Sequence, residues 1–573
     1  MQKSRWTVIL GLVVSITALL GGCDDNGSGA SGATSPSQVF TPASPGPAGG
    51  LSNPSSSGTS SNPTPSGPPP GSSPPFWISI QETPQSGAAA GNNGVYVIRS
   101  NALSSTPSAV TPLTINASLL AVANQPTSGT EGTASSLPVL AMYYATGPDS
   151  NVHIYGINLA DTSNVPTATQ IGSLALNPAS GEQICLAASA QRDKSIPQTL
   201  FVVVHVTGDS GLFSCAGPDG TYELVNFTDS PTTAPTPVPY SSINIQNIYG
   251  SNGKLGGLLT FSASSQLVFY SADQLTGPPI VVVNKIYAFG LLAHGGDAEY
   301  VAVTTDETSP AQPLYKVTSS GASSLVYTSQ GVLGSAVVDA DNLYFTDTQI
   351  GMVTTIWQAS LQSDNFQPLY TQNAEAPTYL VGSTGSVLIF GYSAINGSAT
   401  VSTIPLNAPS PQASVLASVP GASFSSAFLD STATYLYVND RVTAEAGTAG
   451  VSGTAAFTVA TGKQLQASSN SMFIEAVAGV LLLSGVADSG DPGGSTIYSF
   501  DPAATTQTPL MLADGSPYTV PQGYSLFEAQ TSGDIGAINL QSPSSGLATA
   551  AVYDSSSHVI VPLGLANMNV SVW

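Results

Sequence analysis

The amino-acid sequence predicts an all-β protein built from a repeated four-stranded unit, and three observations support this prediction. Charged residues make up only 8% of the chain, so Lys and Glu, the usual residues of solvent-facing helices, are scarce. Val, Ile, Thr and Tyr, which favour strands, recur in short runs. Turn-forming Gly, Pro, Asn, Asp and Ser separate these runs, and the pattern repeats about every 45 residues.

The chain begins with the pattern of a secretory signal peptide over residues 1–22. Lys3 and Arg5 precede an apolar run from Trp6 to Leu20, which is shorter than the roughly 20 residues that a spanning helix needs. The run ends in Leu20-Gly21-Gly22-Cys23, which resembles the lipobox of bacterial lipoproteins. This resemblance implies cleavage before Cys23, diacylglycerol on its sulfur and acylation of the new amino terminus.

The expected location is therefore a cell membrane, with the lipid-anchored protein on the periplasmic or extracellular side. Asp24 and Asp25 follow the lipidated position. An Asp at this place resembles the inner-membrane retention signal of enterobacterial lipoproteins, which implies the inner membrane if that rule applies.

Residues 23–75 are expected to form a lipid-anchored disordered linker. Thirty-five of the 50 residues from 26 to 75 are Gly, Ser or Pro, and none of the 50 is charged. Such a segment buries too little apolar surface to offset its ordering entropy. As a flexible coil it would span about 40 Å.

Residues 76–573 are expected to form the folded body, a single large β-propeller of about 8–10 four-stranded blades, because a period near 45 residues with four strands is typical of this fold. Four units are clearest. The predicted strands are 333–338, 342–347, 355–361 and 367–370; 378–382, 386–392, 400–406 and 413–417; 425–429, 434–438, 454–459 and 463–466; and 473–477, 480–486, 495–500 and 508–512. Similar strands recur upstream at 139–144, 200–206, 258–261 and 299–303.

The second strand of several units is apolar without alternation, as in 200–204, 386–390 and 480–483. An uninterrupted apolar strand is covered on both faces, as it is when a sheet lies between two similar sheets. Two stacked β-sandwiches would show similar runs. The C-terminal segment 568–573 is expected to pair with 77–81 and 95–98, which would join both ends of the body in one sheet.

Two short stretches resemble repeats of known propeller families. Residues 338–347 with Ile356-Trp357 resemble the repeat of YWTD-type propellers, and Ala460–Gln466 resembles the Ala-x-Thr-Gly-Lys turn of quinoprotein-like propellers. In the latter repeat a Trp follows the turn, whereas this chain has Gln466. The departure argues against a quinone cofactor, and no cofactor is predicted.

The sequence nominates no catalytic residue. It contains no Gly-x-Ser-x-Gly motif, and its four histidines, His153, His205, His294 and His558, are widely separated. His153 and His205 alternate with apolar residues on predicted strands, which indicates packed side chains. His294 opens a Gly-Gly-Asp turn in which local hydrogen bonding is expected.

No metal site is predicted either. Asp339 and Asp341 with Asp347, and Asp488 with Asp491, could suit calcium, but neither group follows the twelve-residue loop pattern. Asp also stabilises turns by bonding its own backbone, and we favour that role. Gly253-Lys254 lacks the partners of a phosphate-binding loop.

Cys185 and Cys215 remain once Cys23 carries lipid. A disulfide between them would close a loop of about 30 residues and contribute roughly 3–4 kcal/mol. The alternative is two buried free thiols.

The formal net charge of −23 would repel phosphate backbones, so nucleic-acid binding is not expected. With an anchor, a linker and no catalytic motif, the sequence favours a cell-envelope binding or scaffolding module with a protein or glycan partner. The alternative is a polysaccharide lyase or hydrolase whose acidic residues converge from several blades.

Overall fold

The computed structural model is all-β. It describes residues 77–82, 95–99, 103–106, 108–109, 117–122, 140–146, 151–158, 166–175, 183–190, 199–205, 222–226, 236–240, 248–250, 257–262, 265–271, 279–306, 308–349, 351–374, 377–395, 397–408, 411–420, 422–430, 432–442, 451–469, 471–476, 479–484, 494–532, 535–542, 544–545, 547–554, 556–563 and 568–572. Within these ranges there are strands and turns and no helix. The predicted signal peptide, Cys23 and the linker lie outside them.

The strands form ten successive units, here called sheets 1 to 10. Nine are four-stranded antiparallel sheets, and sheet 3 consists of two two-stranded ladders that contact each other through β9 and β10.

The first five sheets have the following strands. Sheet 1 contains Trp77–Glu82 (β1), Val95–Arg99 (β2), Ser108–Ala109 (β3) and Met568–Val572 (β40); sheet 2 Ala117–Val122 (β4), Leu140–Thr146 (β5), Asn151–Asn158 (β6) and Ala168–Ala175 (β7); sheet 3 Gln183–Ala190 (β8), Thr199–His205 (β9), Tyr222–Asn226 (β10) and Thr236–Tyr240 (β11); sheet 4 Ile248–Gly250 (β12), Gly257–Ser262 (β13), Gln266–Ser271 (β14) and Ile280–Val283 (β15); sheet 5 Ala288–Gly295 (β16), Ala298–Thr304 (β17), Pro313–Thr318 (β18) and Ser323–Thr328 (β19).

The other five sheets follow the same order. Sheet 6 contains Val332–Val338 (β20), Asn342–Thr348 (β21), Val353–Ser360 (β22) and Phe366–Asn373 (β23); sheet 7 Tyr379–Ser383 (β24), Val387–Ala394 (β25), Ser398–Pro405 (β26) and Ser414–Pro420 (β27); sheet 8 Ala422–Leu429 (β28), Tyr435–Val442 (β29), Val451–Thr458 (β30) and Gln464–Ser469 (β31); sheet 9 Ser471–Ala476 (β32), Gly479–Ser484 (β33), Thr496–Asp501 (β34) and Thr506–Pro509 (β35); sheet 10 Ser525–Ser532 (β36), Ile535–Gln541 (β37), Ala548–Asp554 (β38) and Val559–Pro562 (β39). The four clearest predicted units are confirmed as sheets 6 to 9.

The two-sided burial of the second strands is confirmed in β25. Leu388 and Phe390 are fully buried and pack with Tyr344 of sheet 6. Ile389, which lies between them, points the other way and packs with Leu436 of sheet 8. Sheet 7 is thus covered by two different neighbours, which is a propeller-like arrangement rather than a pair of facing layers.

The succession of contacts continues from sheet 10 to sheet 1. β40 pairs antiparallel with β1, as expected, with Ile80 opposite Val570. Ile98 of sheet 1 and Val552 of sheet 10 share one buried cluster. The C-terminal strand therefore completes the sheet in which the body begins.

Neighbouring first strands run in the same direction. The first strand of one sheet contacts that of the next at β4 and β8, β8 and β12, β16 and β20, β20 and β24, β24 and β28, β32 and β36, and β36 and β40. Gly295 at the end of β16 lies against Val338 at the end of β20, and a Cβ on Gly295 would come within 2.6 Å of Leu361. The hairpins that join first and second strands consequently lie at one end of neighbouring sheets, here called the hairpin end, and the turns between second and third strands lie at the opposite end.

The first strand of a sheet is an edge whose backbone groups need partners. At five junctions a side-chain oxygen of the preceding sheet accepts a hydrogen bond from a backbone N–H of this strand. The pairs are Gln312 and Leu333 at 2.8 Å, Ser335 and Leu380 at 2.8 Å, Ser393 and Phe424 at 3.0 Å, Asn439 and Phe473 at 2.8 Å, and Asn539 and Val570 at 2.8 Å. Asn439 and Asn539 also donate to the backbone oxygen of the same residue.

The fourth strands share a second recurring feature, a β-bulge that leaves one aliphatic residue outside the ladder. These residues are Ile171, Val282, Val326, Leu369, Leu416 and Leu465. All but Ile171, whose side chain is not described, pack into the cluster shared with the following sheet. The bulge therefore adds an apolar contact between neighbouring sheets.

Replacing Asn539 should weaken the junction between sheets 10 and 1. Asn539 is buried and holds both backbone groups of Val570, so Asn539→Ala leaves those groups unpaired and should cost roughly 2–3 kcal/mol. Asn539→Asp, which puts a carboxylate oxygen against the Val570 carbonyl, should be at least as destabilising. Chemical denaturation measures both. Exposed Asn365→Ala is the control, and an equal loss in that variant would contradict the assignment.

Alkaline pH should destabilise the fold because several tyrosines are buried. Burial raises the pKa of Tyr518 from 10.0 to about 12, and it raises the pKa of Tyr437 and Tyr553 as well. A raised pKa in the folded state means that the stability contributed by the neutral phenol is complete below pH 10 and is lost as pH rises through 12. Tyr518→Phe should remove up to about 3 kcal/mol of this loss. Unfolding midpoints between pH 8 and 12 test this, and exposed Tyr287→Phe should retain the wild-type loss.

Candidate functional site

The hairpin end of sheets 5 and 6 carries His294, Asp339 and Asp341, three of the residues that the sequence analysis considered. His294 lies in β16, next to the hairpin, and Glu299 lies directly opposite it in β17. His294 Nδ1 is 2.9 Å from a Glu299 carboxylate oxygen. Glu299 is 3% exposed, so its charge is held in the sheet mainly by this histidine.

The His294–Glu299 pair is chemically the orienting half of a general-base arrangement. A carboxylate bonded to one ring nitrogen fixes the imidazole and leaves the other nitrogen available. Local bonding at the His294 turn was expected, and Glu299 is the partner that the sequence analysis missed. A Glu opposite a His across a two-residue hairpin is the signal that could have identified it.

A different ion pair, between Lys316 and Asp364, joins sheet 5 to sheet 6. It lies on the face of sheet 5 opposite to His294 and Glu299. Lys316 Nζ donates to both carboxylate oxygens of Asp364, at 2.9 and 3.2 Å, and to the Leu361 carbonyl at 3.2 Å. The Tyr300 hydroxyl donates to Asp364 at 3.4 Å. Burial and the charge of Asp364 raise the pKa of Tyr300, so this phenol stays neutral and serves as a donor.

Asp339 is engaged by its own turn. One of its carboxylate oxygens accepts from the backbone N–H groups of Asp341 and Asn342, and the other accepts from the Tyr344 hydroxyl at 2.9 Å. These are the bonds of a turn-stabilising aspartate. Burial and the neighbouring Asp339 charge raise the pKa of Tyr344.

Asp347 does not join Asp339 and Asp341, contrary to the possible calcium grouping. It lies near the far end of β21, about 16 Å along the strand from Asn342. Asp347 is buried and accepts from the Tyr327 hydroxyl at 2.7 Å and the Gln330 N–H at 3.0 Å. It therefore connects sheets 5 and 6, and no three His, Cys, Asp or Glu residues of the described ranges are grouped to hold a metal.

The other nominated residues are only partly placed. Cys185 is the residue left outside the ladder by a bulge in β8, whereas Cys215 lies outside the described residues, so the disulfide stays a prediction. His153 and His205 lie in β6 and β9. His558 lies in the turn before β39 with a φ of 57°. Asp488, Asp491 and Lys254 lie outside the described residues.

The opposite end of sheets 4 and 5 carries a group that the sequence analysis did not nominate. Tyr287, in the linker from β15 to β16, is 56% exposed. Gln266 Nε2 donates to Asn284 Oδ1 at 2.5 Å nearby in the same junction. No periodicity marks these residues, because Asn284 and Tyr287 lie between strands and Gln266 is the first residue of β14.

Sequence comparison finds no matching protein family and no similar curated protein. The chain is structurally similar to a eukaryotic initiation factor (10% identity, TM-score 0.41, covering 78% of this chain and 95% of that one). It also resembles a prolyl endopeptidase (12%, 0.36, 49% and 44%) and an oligogalacturonate lyase solved with manganese (11%, 0.29, 68% and 97%). The chain spans about half the length of the prolyl peptidase chains that it matches. At these TM-scores the likenesses assign no function.

No helix in the described part of the chain is long and apolar enough to cross a membrane.

Removing the charge of Asp364 should weaken the junction of sheets 5 and 6. Asp364 has a φ of 50°, which Asn also adopts readily, so Asp364→Asn isolates the ion pair from backbone strain. The side chains of Lys316 and Asp364 are 15% and 31% exposed, so we expect a loss of roughly 1 kcal/mol that shrinks in high salt. Denaturation at two salt concentrations measures it. Exposed Asp297→Asn is the control, and a salt-independent loss would contradict the ion-pair role.

Proposed function

We propose that this chain is a membrane-anchored cell-envelope lipoprotein whose body, a single propeller of ten blades, is a protein- or glycan-binding and scaffolding module. The observation that carries the proposal is the pairing of β40 with β1. This pairing places the C-terminal strand β40 in the same sheet as β1, the first strand after the predicted linker. A rigid body held in this way, with its linker attached at one sheet, suits the presentation of binding surfaces away from a membrane.

Several described aspartates are bonded within their own turns, as suits a structural role. Side-chain and backbone hydrogen bonds from Thr308 lower the pKa of Asp306, and those from Ser516 lower the pKa of Asp514. A glycosidase acid needs the opposite shift, a raised pKa. Asp501 and Asp554 accept bonds within their own turns in the same manner as Asp339.

The first strands also suit a binding surface. In β28 the bulge leaves Ser425 outside the ladder and exposed, while the neighbouring Ser426 hydroxyl accepts a hydrogen bond from the Asn439 amide at 3.1 Å. Neutral donors and acceptors of this kind can bond a glycan or a polypeptide backbone.

The second candidate is a polysaccharide lyase or hydrolase, and His294 is the observation that favours it. An imidazole oriented by Glu299 could act as a base toward a substrate at the hairpin end. The described residues pair it with no nucleophile or second acid, so this candidate ranks below binding.

Lipid attachment should depend on Cys23. Cells expressing the full chain should incorporate a labelled fatty acid into the protein, and the protein should sediment with the inner membrane. Cys23→Ala should lose the label, whereas Cys215→Ala should keep it. Labelling of Cys23→Ala, or recovery of the wild type in outer-membrane or surface-labelled fractions, would contradict the anchor or its location.

The binding role is tested by affinity capture from envelope extracts with the detergent-solubilised full chain. A saturable protein or glycan partner supports the proposal. Release of new reducing or unsaturated ends from envelope polysaccharide, abolished by His294→Asn, would replace it with the enzyme.

A further inference from the structure

Tyr287 is the single aromatic side chain among the strongly exposed large hydrophobic residues of the described ranges. The others are Val281, Leu325, Ile395 and Val415. One exposed aliphatic residue on a surface is ordinary. An exposed aromatic ring needs a closer look, because it combines a large apolar face with a polar hydroxyl.

The backbone that carries Tyr287 is fixed on both sides. Ile286 is 1% exposed, and its N–H donates to the Ser265 carbonyl at 2.8 Å. The Tyr287 N–H donates to the Thr304 carbonyl, also at 2.8 Å. The ring is therefore presented from an ordered segment, and a ligand would not have to order that segment on binding.

Two residues of the same junction adopt the left-handed backbone region. Ser265 and Lys285 both have a φ of 58°, and neither is Gly or Asn. Such conformations are unfavourable for most residues and persist where the surroundings enforce them, often at ligand sites.

Polar groups that match sugar hydroxyls lie in the same junction as Tyr287. Asn284 is exposed and accepts from Gln266, so the two amides are aligned. Asp306 lies two residues beyond Thr304, whose carbonyl bonds Tyr287. Hydrogen bonds from Thr308 lower the pKa of Asp306, so its carboxylate is an ionised acceptor at ordinary pH.

The chemistry of this group identifies the ligand class. The C–H face of a pyranose stacks on an aromatic ring, while amides and carboxylates bond its hydroxyls. A protein hot spot would instead need a surrounding apolar surface that excludes water, whereas the exposed residues just before Tyr287 include the polar Asn284 and Lys285. The net charge of −23 disfavours acidic polysaccharides.

We propose that Tyr287, with Asn284, Gln266 and Asp306, forms a binding site for neutral pyranose units of a glycan at the junction of sheets 4 and 5. The site rests on the proposed binding function and names its ligand.

The test uses the detergent-solubilised full chain and an array of neutral hexose and N-acetylhexosamine oligosaccharides, with uronate oligosaccharides for comparison. The best neutral ligand is then titrated by calorimetry. Tyr287→Ala should weaken binding about tenfold or more, since stacking is lost, while Tyr287→Phe should stay within a few-fold of wild type. Ile395→Ala, at an equally exposed turn, should bind as wild type, and all three variants should keep the wild-type melting temperature.

Each other outcome is decisive. Neutral-glycan binding that Tyr287→Ala leaves unchanged would overturn the site. A preference for uronate oligosaccharides would overturn the ligand class. If no glycan binds while a protein partner is captured from envelope extracts, the inference fails and the proposed binding function stands.

Discussion

The whole structure depends on covering both faces of every sheet. A strand such as β25 sends Leu388 and Phe390 toward sheet 6 and Ile389 toward sheet 8, so both faces of this second strand are covered. A lone sheet with such a strand would expose apolar side chains on both faces, so it requires a neighbour on either side. A succession that returned to its first sheet would give every sheet two neighbours, and Ile98 of sheet 1 does share a buried cluster with Val552 of sheet 10. The chain can be long without a single large core, because its apolar contacts are divided among the junctions.

Hydrogen bonds set the register of these junctions, since apolar contacts alone would let neighbouring sheets slide. Asn439 and Asn539 occupy second strands two sheets apart, and each holds both backbone groups of one residue in the next first strand. Their amides imitate a strand residue, which offers one donor and one acceptor. Ser335 and Ser393 supply only the acceptor at their junctions. The first strand of a sheet has the least room for an additional strand beside it. Side chains of the preceding sheet therefore bond its free backbone groups.

The sequence predicted the strands and their two-sided burial, and it did so because these depend on local composition and periodicity. The strands of sheets 6 to 9 were predicted from short apolar runs that turn residues separate. The pairing of β40 with β1 was predicted as well. The hydrogen bonds at the junctions could not be predicted. Asn539 and Val570 are 31 residues apart, and neither sequence segment has a feature that identifies the other as its partner. The His294–Glu299 contact is local, but the sequence analysis missed it because the glycines of the hairpin already accounted for the turn. The sequence did not identify Tyr287, because the exposure of its side chain depends on how sheets 4 and 5 pack against each other.

The outermost strand of each sheet shows how a chain with few charges keeps its sheet edges from pairing with other chains. None of the ten outermost strands contains Asp, Glu, Lys, Arg or His, although charged side chains are the common protection of such edges. Bulges interrupt six of these strands, and the five bulge residues whose side chains are described turn inward instead of widening the exposed edge. Prolines interrupt others, as in β11, and Met511 pairs with Val559 over the edge of β39. Because protection comes from backbone geometry, the carboxylates are free to stabilise turns, and their summed charge keeps copies of the protein apart.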